Sequence, residues 1–226
     1  MTHDSILFDL DGVLLCLHPD HPTVYQQAIE ATFEEFDVTP VAADLDAFTS
    51  GATIEEMRRV CAGYDIDFEA FWVRRETNAF TLQREMMKRG ERVPYDDCVV
   101  LEQLAEQHTL GLVSSNQHAT VKEMLTQFGL ADLFETVYGR TPTVEGFVRT
   151  KPETHYVEQA MADLGTVEGV YVGDSACDVQ AAHAAGLDAV FIRRSHREEY
   201  TLPEEPAHEI HTLASLPTIP GIASSV

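Results

Sequence analysis

Short apolar runs of strand length alternate along this chain with longer segments of helical period. The first run, Ile6-Leu7-Phe8-Asp9-Leu10-Asp11-Gly12-Val13, reads as a buried parallel strand that ends in two aspartates followed by glycine. From Thr23 to Phe36 the apolar positions Val24, Ala28, Ala31 and Phe36 follow a helical spacing, and Pro40 and Asp44 then punctuate a short segment. Thr53-Ile54-Glu55-Glu56 has the pattern of a capping box that opens a helix. Phe68 to Met87 is a long amphipathic helix carrying Phe71, Trp72, Phe80 and Leu82, and no convincing strand lies between about Leu15 and Gly90. Beyond that point the pattern changes. Pro94 precedes a helix through His108, and Thr109-Leu110-Gly111-Leu112-Val113-Ser114 reads as a buried strand. A helix over 118–128 is closed by Gly129, and Val137-Tyr138 is a weak strand. A helix over 153–164, a strand at Gly169–Gly173, a helix over 176–185 and a strand at Asp188–Ile192 complete the series. The tail from Pro203 is rich in proline and serine, with one candidate short strand around Glu209-Ile210-His211.

Strands alternating with helices require right-handed crossovers, and so a parallel sheet with helices on both faces. The expected fold class is therefore α/β, a Rossmann-like doubly wound core. The all-helical block interrupts it, which predicts a discontinuous core over residues 1–15 and 91–226 and an inserted helical cap domain over 16–90.

Charge changes the picture more than composition does. The 226 residues include 15 basic against 38 acidic side chains, a net charge of −23. Phosphate backbones demand the opposite sign, so a nucleic-acid partner is excluded. Only Lys88, Lys122 and Lys151 are lysines, and the acids are scattered rather than run together. Scattered acids with few lysines favour adaptation to a salt-rich cytoplasm, where self-repulsion is screened; an acidic partner-binding face is the competing explanation. Cys16, Cys61, Cys98 and Cys177 fall at wide, unpatterned spacings and read as buried thiols in a reducing compartment. No apolar run reaches the ~20 residues of a membrane span, and no signal peptide is recognisable, so a cytoplasmic protein without a membrane partner is expected.

The candidate chemistry sits at strand ends, where open α/β sheets bind ligands. Asp9 and Asp11 close the first strand, and two adjacent carboxylates call for a cation, with Mg²⁺ as the usual hard partner of oxygen ligands. A solvated acidic turn is the plain alternative. An EF-hand is not, because Val13 and Leu17 occupy positions that would have to bind calcium. Ser114-Ser115-Asn116 reads as a hydroxyl-rich turn opening a helix, suited to an anion or simply to capping. Thr150-Lys151-Pro152 places a lysine before a helix with proline in its first turn, where a solvated lysine is the alternative. Gly173-Asp174 and Asp178 put two acids one helical turn apart; Asp174 could otherwise be a cap and Asp178 a solvated helix residue.

Taken together, Asp9-Leu10-Asp11-Gly12-Val13, Ser114, Lys151 and Gly173-Asp174…Asp178 resemble the four motifs of the haloacid dehalogenase superfamily. The resemblance spans essentially the whole chain and is nearest the helical-cap branch of the β-phosphoglucomutase and phosphoglycolate phosphatase type. It implies that Asp9 is a nucleophile forming a phosphoaspartyl intermediate, and that Asp11 is a general acid and then a base. It further implies Mg²⁺ held by Asp9, the Asp11 carbonyl and Asp174, with Asp178 supporting the site through water or Lys151. Ser114 and the Ser115 N–H would bind phosphoryl oxygens, and Lys151 would orient Asp9.

The chain departs from that branch at the cap side. Cys16 stands where an acid is usual, and Gly51-Ala52-Thr53 lacks the arginine often found after the glycine. The expected activity is a Mg²⁺-dependent phosphatase acting on a small phosphorylated metabolite. A phosphomutase of the same chemistry is the alternative, followed by a haloacid dehalogenase and a non-catalytic binding module. Candidate specificity residues are His18, His21, Arg58, Arg74 and Arg75. For each arginine the competing reading is a surface ion pair with an acid such as Glu55, Glu56 or Glu76.

Overall fold

The structure, a computed structural model, describes residues 4–16, 24–48 and 53–222. It contains two compact units. One comprises Met1–Pro19, Arg92–Thr141 and Gly146–Val226; the other comprises Asp20–Glu91 with Pro142–Glu145.

The first unit is built on six strands, β1 (Ser5–Phe8), β2 (Thr109–Gln117), β3 (Thr136–Arg140), β4 (Val170–Gly173), β5 (Asp188–Ile192) and β6 (His208–Ile210). Their order is β3-β2-β1-β4-β5-β6 and every pairing is parallel. The expected α/β, Rossmann-like class is therefore the observed one. β1 is buried on both faces, which is why it reads as a continuous apolar run rather than an alternation. Leu7 packs with Val113, Tyr171 and Phe191 against α8 (His155–Leu164) and α9 (Ala176–Ala184). Phe8, one residue on and facing the other side, meets Phe134 edge-on with ring centroids 6.2 Å apart.

Chain order reverses at β1: successive strands add on one side through β2 and β3, then on the other from β4. The carboxyl ends of β1 and β4 consequently diverge into a crevice, the place where doubly wound sheets bind ligands.

Helices are the regular elements among the described residues of the second unit's main segment: α1 (Val24–Glu35), α2 (Ala42–Asp46), α3 (Ile54–Gly63) and α4 (Phe68–Lys88). Phe33 is its aromatic centre, with Phe71 at 4.7 Å and Phe48 at 5.6 Å between ring centroids. The Thr53 capping box forms as the sequence predicts, with Glu56 N–H donating to Thr53 Oγ1 and Thr53 N–H to Glu56. Among the described residues no helix is long and apolar enough to cross a membrane.

Several expectations need correction. The stretch from Pro94 to His108 is not one helix but a 3₁₀ turn, Asp96–Val99, leading into the short α5 (Val100–Ala105). α7 (Val144–Val148) was not foreseen. Ser114-Ser115-Asn116 is not a helix-opening turn, because β2 continues to Gln117 and α6 (His118–Gln127) starts only afterwards. Ser114 pairs with Gly139 and Gln117 with Arg140, so two extra residues bulge from the strand between them. Pro152 does not occupy the first turn of a helix either, since α8 begins at His155. Finally, the thiols of Cys61 and Cys98 are buried as expected, but Cys177 is exposed and Cys16 half-buried.

Candidate active site

Asp9 leaves β1 with its N–H donated to the Val172 carbonyl of β4 (2.9 Å), which fixes the backbone at the mouth of the crevice. Three residues later the chain turns through Gly12 at φ 81°, a conformation costly for any residue with a Cβ. Space demands glycine there as well, because a Cβ would lie 2.5 Å from Asp174 Oδ2. Gly173 closes β4 for a related reason: a Cβ would collide with Asp178.

The Lys151 ammonium joins the acids. It lies 2.8 Å from Asp9 Oδ1 and 2.6 Å from Asp178 Oδ1, with all three side chains largely buried. Asp178 sits in the first turn of α9, where it reciprocates the Ser175 cap; its Oδ2 accepts from Ser175 Oγ (2.6 Å), Ser175 N–H (3.0 Å) and Asp174 N–H (3.2 Å). Asp178 is thus not a solvated helix residue, and it touches Lys151 directly. Ser175, not Asp174, is the helix cap.

These contacts set the proton affinities. Burial pushes the Asp9 carboxyl up to about 7, against the pull of Lys151 and with a push from the Asp178 and Asp174 charges. For Lys151 burial favours the neutral amine, but the Asp178 and Asp9 carboxylates outweigh it and hold the pKa well above the ordinary range. Burial would likewise raise Asp174; the His196 hydrogen bond and the Arg197 charge overcome it and bring the carboxyl below its usual value.

Asp11 is held from two sides. Arg92 forms an ion pair with Oδ1, and Asn116 Nδ2 donates to Oδ2 (3.1 Å). Asn116 comes from the bulge of β2, an irregularity that re-aims side chains beside a site. Ser114, buried at the same strand end, accepts from the Asn116 N–H through Oγ (3.2 Å). Ser115 is exposed, and its carbonyl accepts from Arg140 Nε (3.1 Å).

Carboxylate oxygens of Asp9, Asp174 and Asp178 lie within 4.8 Å of one another. An all-oxygen, anionic donor set of this kind suits Mg²⁺ rather than a metal that prefers nitrogen or sulfur.

The structure thus brings together Asp9, Asp11, Ser114, Lys151, Asp174 and Asp178. His18 and His21 lie outside the described residues. The three candidate arginines in the helical unit are each paired: Arg58 with Glu69 (2.6 Å), Arg74 with Glu35 (2.7 Å) and Arg75 with Glu76. Arg75 is buried, its guanidinium over the rings of Trp72 and Tyr25. Sequence reasoning missed Arg92, Tyr171, His196 and Arg197. His196 Nε2 lies 2.7 Å and Arg197 Nε 3.0 Å from Asp174 Oδ2. These two lie four and five residues beyond the end of β5, in the 3₁₀ turn Ser195–Arg197, and extending the strand-end rule to the loop after β5 would have found them.

The sequence profile of the haloacid dehalogenase-like hydrolases matches residues 6–192. The chain is similar to a phosphoglycolate phosphatase of Cereibacter sphaeroides, 26% identical over 214 residues that span 91% of this chain and 89% of that one. Its fold is similar to that of CbbY from Rhodobacter sphaeroides, solved in complex with phosphate (TM-score 0.69, 16% identity, 99% of this chain and 100% of that one). A second likeness is to the HAD-hydrolase YfnB of Bacillus subtilis, solved bound to magnesium (TM-score 0.61, 17% identity, 96% and 98% covered). With most of its length matched, and with acids and a lysine meeting at the β1 and β4 ends, the chain belongs to the haloacid dehalogenase-like hydrolase family.

Proposed function

We propose that this hydrolase is a Mg²⁺-dependent phosphatase that cleaves a small phosphorylated metabolite through a phosphoaspartyl intermediate on Asp9. The observation that carries the reading is the buried Asp9 carboxylate, fixed by Lys151 at 2.8 Å beside two further acids. In the first half-reaction an Asp9 oxygen attacks phosphorus, the bond to the leaving oxygen breaks, and Asp11 gives that oxygen its proton. In the second, Asp11 takes a proton from water as the water attacks the acyl phosphate, which frees inorganic phosphate and restores Asp9. Arg92 and Asn116 keep the Asp11 carboxylate aimed for both tasks. Lys151 orients Asp9, and Ser114 with the Ser115 N–H receives phosphoryl oxygens, so most of the catalysis is positioning and charge stabilisation. Asp9, the Asp11 carbonyl and Asp174 would hold Mg²⁺, which when bound supplies positive charge to the phosphoryl group.

The helical unit is read as a cap over residues 16–90 that selects substrate, and the excess of acids as adaptation to a salt-rich cytoplasm. The similarity to a phosphoglycolate phosphatase supports a small anionic substrate. A panel of phosphorylated metabolites, assayed in molar KCl with Mg²⁺ and again with chelator, tests the proposal. Phosphate release that needs the metal and is lost in Asp9→Asn supports it. No release from any phosphate ester, or full release in excess chelator, overturns it.

A further inference from the structure

Tyr171 enters none of the motifs, yet its hydroxyl lies against the lysine of the site. It projects from β4 opposite Leu7 of β1 and is almost fully buried. Its Oη stands 2.8 Å from Lys151 Nζ and 2.8 Å from the Val113 carbonyl oxygen of β2. The side chain therefore bridges the two strands that flank the one carrying Asp9.

The donor count defines what the hydroxyl does. An ammonium has three N–H donors and no acceptor. Four oxygens surround them: Asp178 Oδ1 at 2.6 Å and Asp9 Oδ1 at 2.8 Å as ion-pair partners, and Tyr171 Oη at 2.8 Å and the Val113 carbonyl at 3.2 Å as hydrogen-bond acceptors. The Val113 carbonyl accepts twice, from Nζ at 3.2 Å and, more closely, from the Tyr171 O–H at 2.8 Å. Burial and the neighbouring Asp178 and Asp9 charges keep the phenol well above its ordinary pKa despite Lys151, so it remains a donor. Without the hydroxyl, one N–H of Lys151 and the Val113 carbonyl would both lose a partner. Their own hydrogen bond, 3.2 Å long with the hydroxyl present, would then shorten and draw the ammonium towards β2, away from the pair of carboxylates.

We propose that Tyr171 is a positioning residue for the phosphoryl-transfer site: its hydroxyl accepts from Lys151 and competes with it for the Val113 carbonyl, and so keeps the ammonium close to Asp9 and Asp178. This rests on the phosphatase reading above.

The test is Tyr171→Phe, which keeps the ring and its packing. In the wild-type background kcat should fall about 10- to 100-fold, the scale of a small misplacement in a preorganised site, with KM within about twofold and an unchanged fold by circular dichroism. In a Lys151→Met background, where there is no ammonium to place, the same change should cost less than about twofold in kcat. Tyr171→Leu, which removes packing as well, separates a packing defect from loss of the hydroxyl. An unchanged kcat in Tyr171→Phe, or an equal loss with and without Lys151, overturns the inference. If Lys151→Met turns over too slowly to measure, the crystal structure of Tyr171→Phe decides: Nζ drawn closer to the Val113 carbonyl and away from Asp9 and Asp178 supports the proposal, and Nζ unmoved overturns it. A wild type that hydrolyses no phosphate ester would instead defeat the phosphatase reading itself.

Discussion

Replacing Asp9, the proposed nucleophile, should make the protein more stable while it destroys activity. Asp9 has its carboxyl raised from the ordinary 3.8 to about 7 in the folded protein, because burial disfavours the charge more than Lys151 favours it. The folded state therefore binds the Asp9 proton more tightly than the unfolded chain does. The associated stability is complete below about pH 4 and is lost as pH rises to about 7, beyond which nothing more is lost. At about 1.4 kcal/mol per pH unit the full displacement corresponds to roughly 4 kcal/mol. Asp9→Asn is exempt from that loss, and its amide oxygen can still accept from Lys151, which retains Asp178 and Tyr171. Urea denaturation in chelator at pH 5 and pH 8 measures the effect. The variant should be the more stable protein at both, and its advantage should widen by about 2 to 3 kcal/mol between them. An advantage that is absent at pH 8, or that narrows as pH rises, refutes the reasoning that Asp9 is held charged at a cost to the fold.

Three other perturbations follow from the same geometry. Gly12→Ala forces a Cβ into a left-handed conformation and against Asp174, so it should lower stability by about 1–2 kcal/mol in denaturation and reduce turnover sharply. Asp11→Asn should slow alkyl phosphates far more than aryl phosphates, whose leaving groups need little protonation; equal losses across a leaving-group series would remove Asp11 from the acid role. With a net charge of −23, the protein should gain thermal stability as KCl rises from about 0.1 M to about 1 M and the screening length falls from about 10 Å to about 3 Å, and an unchanged or lower melting temperature would contradict salt adaptation.

Much of this was legible in the sequence because buried strands and their ends are written in local patterns. Ile6–Phe8 is apolar on both faces, and Asp9 and Asp174 each follow a strand at the carboxyl edge of the sheet. What the sequence hid was non-local. The β2 bulge that carries Asn116 to Asp11 depends on pairing with β3, and the letters Ser114-Ser115-Asn116 equally suit a helix start. Arg92 lies 81 positions from Asp11, and its burial beside that acid leaves no trace in spacing. Tyr171 reads as one more apolar residue of β4, because its ring fills the core and nothing in the local pattern marks the hydroxyl that meets Lys151. The arginines of the helical unit were ambiguous for a different reason: surface charge on a helix is uninformative until partners such as Glu35 and Glu69 are in place.

The central claim is that Asp9 carries the phosphoryl group, and chemical trapping tests it most directly. The enzyme is mixed with Mg²⁺ and a fast aryl phosphate substrate, quenched within the first turnovers and treated with borohydride, which reduces an acyl phosphate but spares a free carboxylate. Peptide mass spectrometry should find homoserine in place of aspartate at position 9, dependent on substrate and absent when Asp9→Asn is treated in the same way. Turnover at full rate with Asp9 unmodified, or with the reduced residue at Asp11, Asp174 or Asp178 instead, would contradict the account.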